Sequence, residues 1–201
     1  MNPVIRTTAA ASLFTMAACS QPAPAPLVEG DWSLDNSASS LSFVSVKAGD
    51  IGEVHGFKQM EGAVSRDGKA KVTIDLASVD TGIEIRDGRM REFLFDTGAY
   101  PEATISAQVD PAAFSTMAVG ASTIQPITAT IDLRGATSEV ETEVNVLRAG
   151  EDRVVVSSAR PIILDADALG LSEGVGKLQE LAGLPAISAA VPVTFSLTFE
   201  R

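Results

Sequence analysis

Two single-copy residues bound the chemistry this chain can do. His55 is the only histidine and Cys19 the only cysteine among 201 residues. One histidine and one cysteine cannot assemble a multi-His or Cys-rich zinc site, so no metal centre is expected. A lone cysteine also rules out a disulfide within the chain. Any serine nucleophile would have to use His55 as its base. Gly170-Leu171-Ser172-Glu173-Gly174 has the letters of a nucleophile elbow, but a helical turn signal precedes it in place of a clear strand. The run Asp165-x-Asp167-x-x-Gly170 faintly resembles a calcium loop. It lacks a third acidic ligand, and Gly176 stands where the bidentate Glu belongs. No Gly-rich phosphate loop occurs. Catalysis is therefore not expected, and no catalytic residue or cofactor is assigned.

Cys19 has a better use. Residues 1–18 read as a signal peptide, with Arg6 in a short n-region and a small, apolar stretch from Thr7 to Ala18. Met16-Ala17-Ala18-Cys19 resembles a lipobox, in which the cysteine receives diacylglycerol. The expected organisation is a lipoprotein signal peptide over 1–18, a tether over 19–29 that includes the extended QPAPAP run, and one domain over 30–201. Ser20 is not the Asp that holds many lipoproteins at the inner membrane, so the expected site is periplasmic, anchored to the outer membrane.

Charge supports attachment by lipid alone. The formal net charge is −11, with no Lys/Arg run or basic stripe. Such a surface repels nucleic acid phosphates and gains nothing from anionic headgroups. Beyond the N-terminus there is no apolar run of roughly 18 residues that could span a membrane as a helix. The expected partners are a hydrophobic small molecule and, through Cys19 only, a membrane.

Two further features could touch a ligand. Arg86, Asp87, Arg89, Arg91 and Glu92 form a dense charge cluster. It could hold an anionic head such as phosphate, but the favoured reading is an ion-pair latch fixing a loop. Phe43, Phe57, Phe93, Phe95 and Phe195 are the large apolar bodies, Phe43 and Phe195 set in alternating strands, and interior is the ordinary place for any Phe. Ile105 and Ile131 fall on inward positions by the same alternation.

The elements that must position these residues are strands. Val72 to Leu76 alternates, as do Ile105 to Val109, Ile127 to Leu133, and Val191 to Phe199. Val140, Val144 and Val146 oppose Glu139, Glu141 and Glu143. Arg153 to Leu164 reads as a long strand bent near Pro161. Further strands are expected over Val54–Val64 and near Val119–Ile124. Short helices are expected over Ile85–Phe93 and Val175–Ala182, the second stopped by Gly183. Patterning gives an all-β domain but does not choose between sandwich and barrel.

A resemblance makes that choice. Ile74-Asp75-Leu76-Ala77-Ser78-Val79-Asp80-Thr81-Gly82, then Arg86-Asp87, Arg89-Met90-Arg91, Phe93-x-Phe95-Asp96 and Tyr100-Pro101-x-Ala103-Thr104, resembles the YceI family. Trp32-x-x-Asp35, Val54-His55-Gly56-Phe57 and Leu133-Arg134-Gly135-Ala136-Thr137 agree with it. Asn36 stands where the family often has His, Ile105 where it often has Phe, and Leu169–Pro185 is longer than expected. The resemblance implies a lipocalin-like antiparallel eight-stranded β-barrel with one or two short helices. It also implies an apolar cavity for a long-chain amphiphile, an isoprenoid or fatty-acid-like lipid. The side chains expected to line it are Phe43, His55, Phe57, Phe95, Ile105, Ile131 and Phe195. The resemblance leaves a homodimer open. The alternative is an envelope interaction or stress-related module whose barrel is filled.

Overall fold

The computed structural model describes residues 31–114 and 116–201. The expected signal peptide over 1–18, Cys19 and the expected tether lie outside the described residues. Within them the chain runs up and down as eight long antiparallel strands, each beside its predecessor.

The first strand is β1 (Trp32–Leu34) and β2 (Ser40–Lys47), split by a 3-10 turn at Asn36–Ala38. The second is β3 (Ile51–Phe57) and β4 (Met60–Val64), and β5 (Lys69–Asp75) is the third. A short β6 (Val79–Asp80) pairs with β3 outside this series. β7 (Glu102–Gln108), β8 (Ser122–Leu133) and β9 (Ala136–Arg148) follow. The seventh strand is β10 (Arg153–Ser158) and β11 (Ile162–Asp165), and β12 (Ala190–Glu200) is the eighth. On one edge β12 pairs with β10 and β11; on the other it pairs with β1 and β2. That double pairing closes the sheet into a barrel and removes its free edges.

Local chemistry explains the breaks. At the first, the Asp35 carboxylate accepts the backbone N–H groups of Ser37 (2.9 Å) and Ala38 (3.3 Å), which caps the 3-10 turn. Asn36 then ties this break to the one between β3 and β4. Its Nδ2 donates to Lys58 O (3.0 Å) and its Oδ1 accepts from Met60 N (2.8 Å). The bend between β10 and β11 falls at Pro161, where no ladder donor exists. β8 differs from the sequence expectation. Its separate strand near Val119–Ile124 does not exist, and one strand runs from Ser122 through Pro126. Proline is tolerated there because β8 has run past the end of its pairing with β7, leaving β9 as its neighbour.

Two insertions lie between strands at one end. After β6 comes α1 (Glu84–Arg89), which continues as a π-helical segment over Met90–Phe95. Its wide turn brings Met90, Leu94 and Phe95 to the buried side. The expected helix over Ile85–Phe93 is thus half α and half π. Between β11 and β12 stands α2 (Ser172–Ala182), ended by Gly183 at φ +62°. α2 rests directly on the π-helical segment: a Cβ at Gly174 would lie 2.6 Å from Phe93 O and 2.7 Å from Leu94 Cα. The opposite end is closed by Trp32, Phe114 and the fully buried Arg148, whose Nη1 donates to Met117 O (2.7 Å).

Candidate functional site

Alternation along the strands decides what faces the axis. On β12, Val191, Val193, Phe195, Leu197 and Phe199 point inward; on β8, Ile127, Ala129, Ile131 and Leu133 do. The outer face of β9 carries Glu139, Glu141 and Glu143. Alanines on neighbouring strands meet inside: Ala107 of β7 pairs with Ala129 of β8. Small side chains there do not reach the axis. The result is an elongated cavity of about 710 Å³ with walls that are almost wholly apolar. That volume lies within the range of small-molecule sites, on the order of 300–1,000 Å³. A barrel packed to its axis would leave no such space.

All seven side chains expected on its wall are there: Phe43, His55, Phe57, Phe95, Ile105, Ile131 and Phe195. Four of them form a continuous aromatic path. Ring centroids stand 5.2 Å apart for Phe43 and His55, 5.5 Å for Phe43 and Phe57, and 5.8 Å for Phe57 and Phe95. These are ordinary separations for tilted aromatic pairs. The sequence expectation missed other lining residues. Val175 and Leu178 of α2, and Met90 and Leu94 of the π-helical segment, roof one end.

Polar side chains on the wall are few; Ser45, Lys47, Glu53, His55 and Arg86 form one group, and Gln108, Asp110, Gln125 and Thr142 stand apart from it. Glu53, His55 and Phe57 alternate inward on β3, while Val54 between them is 69% exposed. The Glu53 carboxylate accepts from Lys47 Nζ at 2.7 Å and from Arg86 Nη1 at 2.8 Å. These two cations, Lys47 first, hold its carboxyl below the ordinary carboxylate range. Arg86 Nη2 also donates to Thr81 O at 2.7 Å. The Arg86 side chain thus straps α1 to β3. Asp87 completes the strap from the other side. Its Oδ1 accepts the backbone N–H of Thr81 (2.8 Å) and the Thr81 hydroxyl (2.5 Å). The latch reading of this charge cluster therefore describes Arg86 and Asp87. Arg89 and Arg91 reach backbone carbonyls at longer range, Leu181 O at 3.5 Å and Ala77 O at 3.4 Å.

Asp87 is buried, so replacing it by Ala would strand the Thr81 N–H. The expected loss is about 2 kcal/mol of stability. It is measured as a lower urea midpoint with an unchanged slope. A midpoint equal to wild type would show that the strap contributes nothing.

His55 is 4% exposed. Its Nε2 lies 2.8 Å from Ser45 Oγ, and its Nδ1 has no partner. Burial, then the nearby Arg86 charge, lowers its pKa below the ordinary histidine value. The ring is not paired with any nucleophile in the elbow-like run. There the Ser172 hydroxyl donates to Asp167 Oδ1 (2.5 Å), and Asp165 Oδ1 accepts from Asp167 N (3.0 Å). The acidic residues of the calcium-like run are thus bonded within their own loop.

The sequence of this barrel matches the model of the YceI-like domain over residues 32–199. The chain belongs to the YceI family. Solved structures agree. A polyisoprenoid binding domain from Saccharophagus degradans, implicated in plant cell wall breakdown, is 41% identical with a TM-score of 0.83. That match covers 85% of this chain and 98% of the other. BcnA of Burkholderia cenocepacia is 20% identical, with a TM-score of 0.60 over 82% of this chain and 98% of its own. The Campylobacter jejuni YceI protein is 14% identical, with a TM-score of 0.53 over 73% and 84%. The last two share the fold alone. No curated protein matches the sequence. In this YceI-like barrel, then, the family's lipocalin-like architecture is present, and the apolar cavity lies inside it.

Proposed function

We propose that this YceI-like barrel binds or carries a long-chain amphiphile of isoprenoid type. The observation that carries this reading is the size and chemistry of the cavity: about 710 Å³, with a wall that is almost wholly apolar and a minority of charged and polar side chains. The 41% identical Saccharophagus protein, a polyisoprenoid binding domain, supports it. The energetics are adequate. Each methylene moved from water into such a wall gains about 0.8 kcal/mol. A tail of about ten carbons would supply ~8 kcal/mol before the cost of ordering it. Phe43, Phe57, Phe95, Ile105, Ile131 and Phe195 would contact the tail, and His55 would stand with the polar group. The role is binding rather than catalysis.

Where it works follows from the N-terminus. The lipobox-like Met16–Cys19 run and the acidic composition favour a lipid-anchored protein of the cell envelope, at the periplasmic face of the outer membrane. Acyl chains on Cys19 would hold it there firmly, because more than one chain is needed for stable anchoring.

The chain's one tryptophan offers a direct test. Trp32 lines the cavity at the end away from α1 and α2. Geranylgeraniol brominated at its tail end is expected to quench Trp32 emission, saturably and at stoichiometric binding. The same lipid brominated beside the hydroxyl is expected to quench it less. No saturable quenching by either would count against a tail buried along the barrel.

A further inference from the structure

The closure through β12 leaves one stretch of the barrel wall sealed differently. β3 pairs with β2 from Ile51 to Gly56. On its other side its ladder is only two residues long, Gly56↔Asp80 and Phe57↔Val79 of β6. From Ile51 to His55 no strand lies on that side among the described residues. The neighbour there is α1, and no backbone hydrogen bond joins it to that stretch.

One side-chain pair crosses this seam: Arg86 Nη1 donates to the Glu53 carboxylate at 2.8 Å. The other bonds nearby stay on one side of it. Lys47 reaches Glu53 from β2, and Thr81 holds Arg86 and Asp87 within the chain that leads from β6 into α1. The crossing pair is partly open to water, its side chains 24% and 30% exposed. Parting two laddered strands would break a row of backbone hydrogen bonds, whereas parting β3 from α1 breaks one ion pair of modest worth.

The seam leads into the cavity. Glu53 and Arg86 line it, and so do Met90 and Leu94 just beyond. Those two belong to the π-helical segment, a rare form that recurs at functional sites. Where the ladder to β6 begins, Phe95 packs on Phe57 with ring centroids 5.8 Å apart, which gives the roof a fixed point to pivot on. The lips of the seam are aliphatic. Ile51 and Val54 on β3, with Ile83 and Ile85 at the start of α1, are 48% to 69% exposed. A hydrocarbon tail passing between them exchanges water for apolar surface on both sides.

We infer that the seam between β3 and α1 is a lateral portal through which the amphiphile enters and leaves the barrel, and that the Arg86–Glu53 pair is its latch. The inference rests on the cavity holding a prenyl tail and adds the route by which the tail gets there.

The test is kinetic, on the full protein, and is read by its one tryptophan. Stopped-flow quenching of Trp32 by tail-brominated geranylgeraniol gives the uptake rate. Recovery of emission on adding excess unbrominated geranylgeraniol gives the release rate. Glu53→Ala cuts the latch from the β3 side and Arg86→Met from the α1 side. Each is expected to raise uptake and release together, about fivefold, the worth of a partly exposed ion pair. Weaker binding alone would speed release and leave uptake as it was, so uptake is the deciding number. Glu200→Ala is the control. It breaks the Arg153–Glu200 pair between β10 and β12, which are already laddered, and both rates should match wild type. In the unaltered protein, amides of residues 84–95 are expected to exchange hydrogen at least tenfold faster than those of β8 and β9, through an opening that spares the ladders. Uptake that is no faster in either latch variant, or equally faster in Glu200→Ala, would overturn the portal. So would exchange in 84–95 as slow as in β8 and β9. Each of these results leaves the tail cavity intact. Absence of any Trp32 quenching in the unaltered protein would overturn the cavity reading itself, and the portal with it.

Discussion

Ala129→Phe is expected to close the barrel to long ligands while the protein stays folded. Ala129 sits at mid-length of β8, 8% exposed, between Ala107 of β7 and Val140 of β9, and it lines the cavity. In a close-packed core such an enlargement would force side chains off their rotamers and cost about 1–3 kcal/mol. Here the ring enters space that the protein leaves unfilled. It would displace the equivalent of about four methylenes of tail, or ~3 kcal/mol of binding. Affinity for geranylgeraniol should fall roughly 150-fold. Thermal stability should hold or rise, because the ring buries apolar surface without meeting an opposing wall. Lower stability with unchanged binding would mean that the interior at this level is packed and the ligand lies elsewhere.

Gly174→Val is expected to have the largest effect on stability. Position 174 is where α2 touches the π-helical segment, and a Cβ there would sit 2.6 Å from Phe93 O and 2.7 Å from Leu94 Cα. Both opposing atoms are backbone, so no side chain can swing aside. α2 must lift, and Leu171, Val175 and Leu178 then lose part of their packing over the cavity end. Overpacking and lost apolar burial together should cost about 3–4 kcal/mol, read as a lower urea midpoint. Gly176, whose Cβ would meet nothing within 4 Å, is the control. Gly176→Ala should be neutral or slightly stabilising, since alanine favours the helix. Equal effects at 174 and 176 would contradict the close approach of the two helical segments.

These expectations show which parts of the account were legible in the sequence. The inner faces of β8, β9 and β12 were, because period-two alternation fixes side-chain direction locally. The bend at Pro161 and the stop at Gly183 were legible for the same reason: each depends on one residue's own backbone limits. The closure of the barrel was not. Phe199 pairs with Val154 on one side and with Leu34 on the other. Alternation is the same in a sandwich, so the choice came from the resemblance carried by the Ile74–Thr104 block. At the 3-10 break over Asn36–Ala38 the Asp35 cap is local, but the bonds of Asn36 to the distant backbone of Lys58 and Met60 left no sequence signal. The wall residues were found by alternation, Ile105 and Ile131 most plainly. Ser45, Lys47 and Glu53 were missed. Their grouping with Arg86 spans more than thirty residues of sequence. One local signal was present, since Glu53 precedes His55 by two positions on one strand and so shares its face.

A barrel that serves as a container for a lipid should carry that lipid when the protein is isolated. Native mass spectrometry tests it most directly, on the full protein purified from its own cells without detergent. The expected result is an added mass that persists under gentle ionisation, disappears on denaturation, and fragments as a prenyl chain. A protein that appears only at its own mass, and stays there after incubation with geranylgeranyl lipids, would contradict it.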